Sequence, residues 1–272
     1  MDARSPAMKA TTLILAAALT ALLAGCATSP TGRKQLMLVS DQQMSKLGVE
    51  AFNAMGKKGK FVNAPREQAY ASCVAHALID VLPPRWRNQQ WQVRIIDDDS
   101  ANAFALPGGR IGVNRGMFKV ATDQDQLATV LGHELAHVVS RHGAERVSDN
   151  MAVQGAVLAG TLYGASRGND AGRTMAALGL GAEVGILLPF SRTQESEADT
   201  LGQRYMARAG FDPRAAVTLW QKMGAKGSKV PAFLSTHPAP ANRAQKLGQQ
   251  AQQLMPVYRQ ARASGHDPQC RM

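Results

Sequence analysis

The chain runs to 272 residues, 45% hydrophobic, 19% charged and 5% aromatic, which suffices for one large domain or two small ones and excludes a disordered or fibrous polymer. Its mean hydropathy of −0.19 excludes a polytopic membrane protein, and 3 cysteines are too few for a disulfide framework. A formal charge of +11 raises nucleic acid as a partner, but the basic residues are scattered, with no Lys/Arg run longer than a pair such as Arg33-Lys34 and no aromatic platform; no nucleic acid is expected, and an anionic envelope surface suits the charge better.

Residues 1–25 read as an export signal. Arg4 and Lys9 precede an apolar stretch from Thr11 to Ala24, too short to span a bilayer securely. It ends in Leu23-Ala24-Gly25-Cys26, which resembles the bacterial lipobox, where the thiol is lipidated and the chain is cut before the cysteine. Lipid on Cys26 is the expected membrane anchor, and Ala27 in place of an aspartate points to the periplasmic face of the outer membrane. That compartment is oxidising, so the remaining pair, Cys73 and Cys270, can form a disulfide if the fold brings them together.

Residues 26–40 read as a lipidated tether leading into a short apolar strand, 41–265 as one domain and 266–272 as a tail. Met44, Leu47, Phe52 and Met55 give helical spacing over 41–58. Pro65 opens a helix to about Leu82, stopped by Pro83-Pro84. Strands are expected at 91–96, 102–106 and 110–113, the last two joined by a turn at Pro107-Gly108-Gly109. The clearest helix runs from Asp123 to His142, capped by Thr122 or Asp123, with Leu127, Val130, Leu131, Leu135 and Val138 on its apolar face. Further helices are expected over 144–164, 172–188, 192–209, 213–224 and 240–263. The class is therefore α+β, predominantly helical, with a short sheet.

The chemistry is concentrated in the 123–142 helix, where His133-Glu134-Leu135-Ala136-His137 forms H-E-x-x-H. Residues four apart share a helical face, so both imidazoles can reach one zinc ion, while Glu134 can take a proton from a metal-activated water. A zinc peptidase needs a third protein ligand. No further histidine follows at the spacing H-x-x-G-x-x-H, so the ligand must come from elsewhere. Glu195, Glu197 and Asp199 lie on a second expected helix, with Glu195 and Asp199 four apart on one face. One of these two can bind the metal while the other orients a ligand histidine.

LGHELAHVVSRH followed by SRTQESEAD, with NAFALPGGRIGVNRG before and LSTHPAPANR after, resembles the zinc metallopeptidases that include HtpX, the CAAX prenyl proteases and the periplasmic BepA-type enzymes. These motifs stand in that family's order over about residues 95–245, and TGRKQLMLVS is similar to its lipoprotein members. The resemblance implies a gluzincin-type domain with a short sheet beside the active-site helix. It implies one zinc ion held by His133, His137 and Glu195, with Asp199 behind a ligand histidine. It places Asn102, Ala103, Phe104 and Ala105 along an extended substrate, and brings His237 and Arg243 over the metal, where either stabilises the oxyanion. Glu197, His76, His142 and His266 match no role and are read as structural. The interval after H-E-x-x-H, which carries membrane helices in HtpX-like members, reads here as a soluble helical pair broken by Gln154 and Glu183. The expected function is a lipid-anchored zinc endopeptidase that hydrolyses misfolded or unassembled envelope proteins. The alternative is a chaperone-like assembly or binding factor for outer-membrane proteins with little turnover.

Overall fold

The computed structural model describes residues 26–166, 190–225, 232–238 and 242–272. The signal expected at 1–25 and the helix expected over 172–188 lie outside the described residues. The elements begin with strands β1 (Cys26–Thr28) and β2 (Lys34–Leu36), then helices α1 (Asp41–Lys57), α2 (Pro65–Ile79) and α3 (Pro84–Arg87). Strands β3 (Gln92–Ile96), β4 (Ala103–Leu106) and β5 (Arg110–Asn114) follow, then helices α4 (Gln124–Val139) and α5 (His142–Ser166). The last helices are α6 (Arg192–Arg208), α7 (Ala215–Ala225), α8 (Ala232–Thr236) and α9 (Arg243–Ala263). The short helices α3 and α8 were not legible as separate elements.

The described residues fall into two compact units, one of 26–40 with 144–166, the other of 41–143 with 190–225, 232–238 and 242–272. In the first, β1 and β2 form an antiparallel hairpin with Cys26 opposite Leu36. The segment expected to be a tether is docked within this unit. Both guanidinium nitrogens of Arg33 meet the Glu145 carboxylate of α5, Gln35 Nε2 donates to Glu145 Oε2 at 3.0 Å, and the Leu38 amide donates to Ser148 Oγ at 2.8 Å. A bidentate Arg–carboxylate pair supported by an amide is enough to order a short polar segment.

In the second unit the sheet order is β3–β5–β4, with β3 parallel and β4 antiparallel to β5. Strand β4 is thus an edge. Helix α4 packs between β4 and α2, α6 and α7, and is buried from Gln126 to Val139. Its face of Leu127, Leu131 and Leu135 joins Ile95, Ile111, Phe211 and Leu219 in the core. Asp123 caps it, accepting from the Gln126 amide at 2.8 Å. The helix ends at Val139, earlier than its apolar pattern suggests, because Arg141 takes the left-handed conformation at φ 59° and restarts the chain as α5. Cys73 of α2 and Cys270 of the tail form a disulfide with Cα atoms 5.7 Å apart. Among the described residues no helix is long and apolar enough to cross a membrane.

Candidate metal centre

The site depends on how closely α4 and α6 cross. Gly132 and Gly202 face each other there, and a Cβ on Gly202 would come within 2.8 Å of Gly132 C and His133 N. Only glycine permits this approach. The crossing sets Glu195 and Asp199, near the start of α6, against His133 and His137 on α4. Ser191 holds that start in a reciprocal capping box with Gln194.

Four ligand-type residues converge, His133, His137, Glu195 and His237, their ligand atoms all within 4.8 Å of one another. His133 Nε2 lies 3.0 Å from His137 Nε2 and 3.4 Å from Glu195 Oε2, and His137 Nε2 lies 3.3 Å from Glu195 Oε1. His237 Nδ1 is 3.2 Å from His133 Nε2 and 3.0 Å from Glu195 Oε1. Tetrahedral zinc with ligands about 2.0–2.1 Å away separates neighbouring ligand atoms by about 3.3 Å, so these spacings fit the ion. All four side chains are buried.

Hydrogen bonding supports the same conclusion. His133 Nδ1 is 3.0 Å from Asp199 Oδ1; in a neutral, metal-binding His133 the proton sits on that side and the lone pair is on Nε2. Glu195 Oε2 is buried without a hydrogen bond among the described residues. A buried carboxylate oxygen without a hydrogen bond, beside two imidazole nitrogens, suits a cation, although the Arg243 guanidinium lies 3.3 Å from the same oxygen. Burial pushes the His137 imidazole well below its usual pKa, the neutral form a ligand needs. Burial opposes charge on His133 too, but Glu195 and Asp199 outweigh it and raise the metal-free imidazole to about 9. Burial would raise the Glu195 carboxyl; the charge on His133 and the surrounding imidazole hydrogen bonds hold it below the carboxylate range instead.

Around this cluster lie three aromatic rings the sequence did not single out, Phe190, Trp220 and Phe233. The His237 ring stacks on Phe233 at 4.3 Å and on Phe190 at 5.1 Å between centroids. Arg243 lies over the Trp220 ring at 3.4 Å and reaches Asp199 Oδ1 at 2.5 Å and Glu195 Oε2 at 3.3 Å. His142 and Glu197 are also buried beside the site, His142 Nδ1 lying 2.8 Å from His137 Nδ1. Their signal was weak: Glu197 is off the Glu195–Asp199 face, and His142 reaches His137 only through the left-handed Arg141 turn.

Glu134 faces the other side of the cluster. Its Oε1 is 3.3 Å from His237 Nε2, the Ala105 amide hydrogen-bonds to its carboxylate, and burial pushes its pKa up. On the edge strand, the Asn102 carbonyl accepts from the Asn114 amide, so alternation turns the main-chain groups of Ala103 and Ala105 away from β5. Asn102 and Phe104 therefore pair inward, while Ala103 and Ala105 carry the edge.

The model of peptidase family M48 matches residues 65–251. The chain belongs to that family. It is 40% identical over 161 residues to the mitochondrial metalloendopeptidase OMA1 of Schizosaccharomyces pombe, covering 58% of this chain and 46% of that protein. The Bos taurus metalloendopeptidase OMA1 is 31% identical over 258 residues, or 88% of this chain and 49% of that one. The β-barrel assembly-enhancing protease of Escherichia coli K12 is 33% identical over 176 residues, 61% of this chain and 36% of that one. The chain thus spans at most about half the length of these relatives. The M48 match extends from α2 into α9 and takes in all four clustered residues, Glu134 and Arg243.

Proposed function

We propose that the protein is a zinc endopeptidase in which His133, His137 and Glu195 hold one zinc ion and Glu134 is the base. The observation that carries this reading is the convergence of those ligand atoms at tetrahedral spacing with Glu134 beside them. Bound zinc would supply Lewis acidity toward the scissile carbonyl and the attacking water. Glu134, its basicity raised by burial, takes the water's proton and delivers it to the leaving amine. Ala103 and the Ala105 carbonyl offer main-chain groups to an extended peptide adding along β4, with Phe104 between them. Asp199 orients His133. Arg243, buried against Asp199, Glu195 and Trp220, suits holding those carboxylates better than binding an oxyanion. His237, its Nε2 near Glu134, is the group suited to the oxyanion once it leaves the cluster. Glu134→Gln should keep zinc and lose hydrolysis, since glutamine preserves shape without the base; wild-type turnover by that variant would refute the assignment.

The setting we propose is the bacterial envelope, with lipid on Cys26 holding the chain at the periplasmic face of the outer membrane and unfolded envelope proteins as substrates. Leu23-Ala24-Gly25-Cys26 supports this, as does similarity to a β-barrel assembly-enhancing protease. The mitochondrial relatives weigh the other way, but a mitochondrial presequence is amphipathic and Arg-rich, whereas residues 11–24 are an apolar run without charge. One observation favours the assembly-factor alternative: His237 Nδ1 sits in the cluster, 3.2 Å from His133 Nε2 and 3.0 Å from Glu195 Oε1, where it would close the metal's open position. Casein digestion with and without a chelator separates the two, since only the peptidase loses activity on chelation.

A further inference from the structure

Metal-bound histidines commonly direct their second nitrogen to a carboxylate, which fixes tautomer and ring orientation. His133 does so through Asp199. His137 has an imidazole in that place: its Nδ1 lies 2.8 Å from His142 Nδ1, and His142 Nε2 lies 3.1 Å from Glu197 Oε2. His137, His142 and Glu197 are all buried.

The protons along this row can be assigned. The Glu197 carboxylate accepts, so His142 Nε2 carries hydrogen. A neutral His142 then has a lone pair on Nδ1, and the 2.8 Å contact is a hydrogen bond only if His137 Nδ1 donates. His137 Nε2 is left with its lone pair facing the cluster. The reverse order would set a His142 lone pair against the Glu197 carboxylate and aim a His137 N–H at the metal position.

We propose that Glu197 and His142 are positioning residues, a carboxylate–imidazole relay that fixes the tautomer and ring orientation of His137 for metal binding. The proposal rests on the reading of the cluster as a zinc site. The backbone supplies a second observation. In a continuous helix a residue five positions on lies about 140° around the axis and about 7.5 Å along it, out of reach of its predecessor's ring. Arg141, in the left-handed conformation at φ 59°, breaks α4 and turns His142 back under His137. That conformation costs a non-glycine residue about 1 kcal/mol, and such local strain is concentrated at functional sites.

The test uses the full chain and zinc alone, with affinity measured by chelator competition. His142→Leu and Glu197→Leu should weaken zinc binding about 10–100-fold. His142→Asn sets its side-chain oxygen near the Nδ1 position and should recover most of that loss. A merely structural role predicts no such recovery. Cobalt-loaded His142→Leu should show an altered visible spectrum, and cobalt-loaded His142→Asn one close to the parent's. Nitrogen-15 shifts of the unsubstituted zinc protein should show His142 protonated on Nε2 alone, a reading that survives if a variant fails to fold. Protonation of His142 on Nδ1, zinc bound equally tightly by His142→Leu, or equal loss in the asparagine and leucine variants would overturn the relay. An unsubstituted chain that binds no zinc would overturn the zinc reading and the relay with it.

Discussion

Replacing Gly202 with alanine should damage the metal site from a distance. The new Cβ would lie 2.8 Å from Gly132 C and His133 N and 2.9 Å from Gly132 O. All three are backbone atoms, which no rotamer change can clear. Restoring ordinary contact at about 3.4 Å means parting α4 and α6 by about 0.6 Å, the difference between 3.4 and 2.8 Å. Zinc sites tolerate about 0.2 Å, and the edges from Glu195 to the two α4 imidazoles are already 3.3 and 3.4 Å. Overpacking of this kind costs about 1–3 kcal/mol. Alanine returns about 1 kcal/mol through helix propensity, so the metal-free protein should lose little stability or up to about 2 kcal/mol. Zinc affinity has no such compensation and should fall roughly ten- to hundredfold if 1–3 kcal/mol is felt in the bound state. Gly132→Ala should be milder, because its Cβ meets one carbonyl oxygen at 3.0 Å and nothing else closer than 3.5 Å. Chelator competition and thermal unfolding with and without zinc provide the measurements. Unchanged zinc affinity in Gly202→Ala, or a larger effect from Gly132→Ala, would show that the crossing does not set the site.

His237→Ala opens the fourth corner of the cluster but removes the oxyanion donor, so kcat on good peptides should fall about 10²-fold with zinc retained; a rise in turnover would mark His237 as a latch, and unchanged kcat, KM and zinc affinity as a bystander. Cys26→Ser should abolish lipid labelling, and persistent acylation would place the lipid elsewhere. Cys73→Ser with Cys270→Ser removes a link between positions 197 residues apart and should cost about 2–5 kcal/mol. Both thiols alkylating freely in the secreted, unreduced protein would contradict the bridge.

How far the site could be read from sequence follows from how local each signal is. H-E-x-x-H is legible because helical geometry alone puts His133 and His137 on one face of an apolar-periodic segment. Glu195 and Asp199 carry the same four-residue signature, but nothing local says that their helix meets α4; that depends on Gly132 and Gly202, two small residues with no periodicity to advertise them. Strands β4 and β5 were legible from their turn at Pro107-Gly108-Gly109, whereas the parallel pairing of β3 with β5 is a long-range fact. The hairpin at Cys26–Leu36 was read as a tether because its fixing group, Glu145, is more than a hundred residues away.

One expectation failed for a physical reason. His142 was assigned to the end of the active-site helix because a helical wheel assumes that the helix continues. A single left-handed residue, Arg141, invalidates that assumption. Arginine gives no warning there, as glycine or asparagine would. Past that turn the wheel no longer describes who meets whom, and His142 comes to lie between His137 and Glu197. The part of the site lost to sequence reading is thus the part built on a conformation that its residue type disfavours.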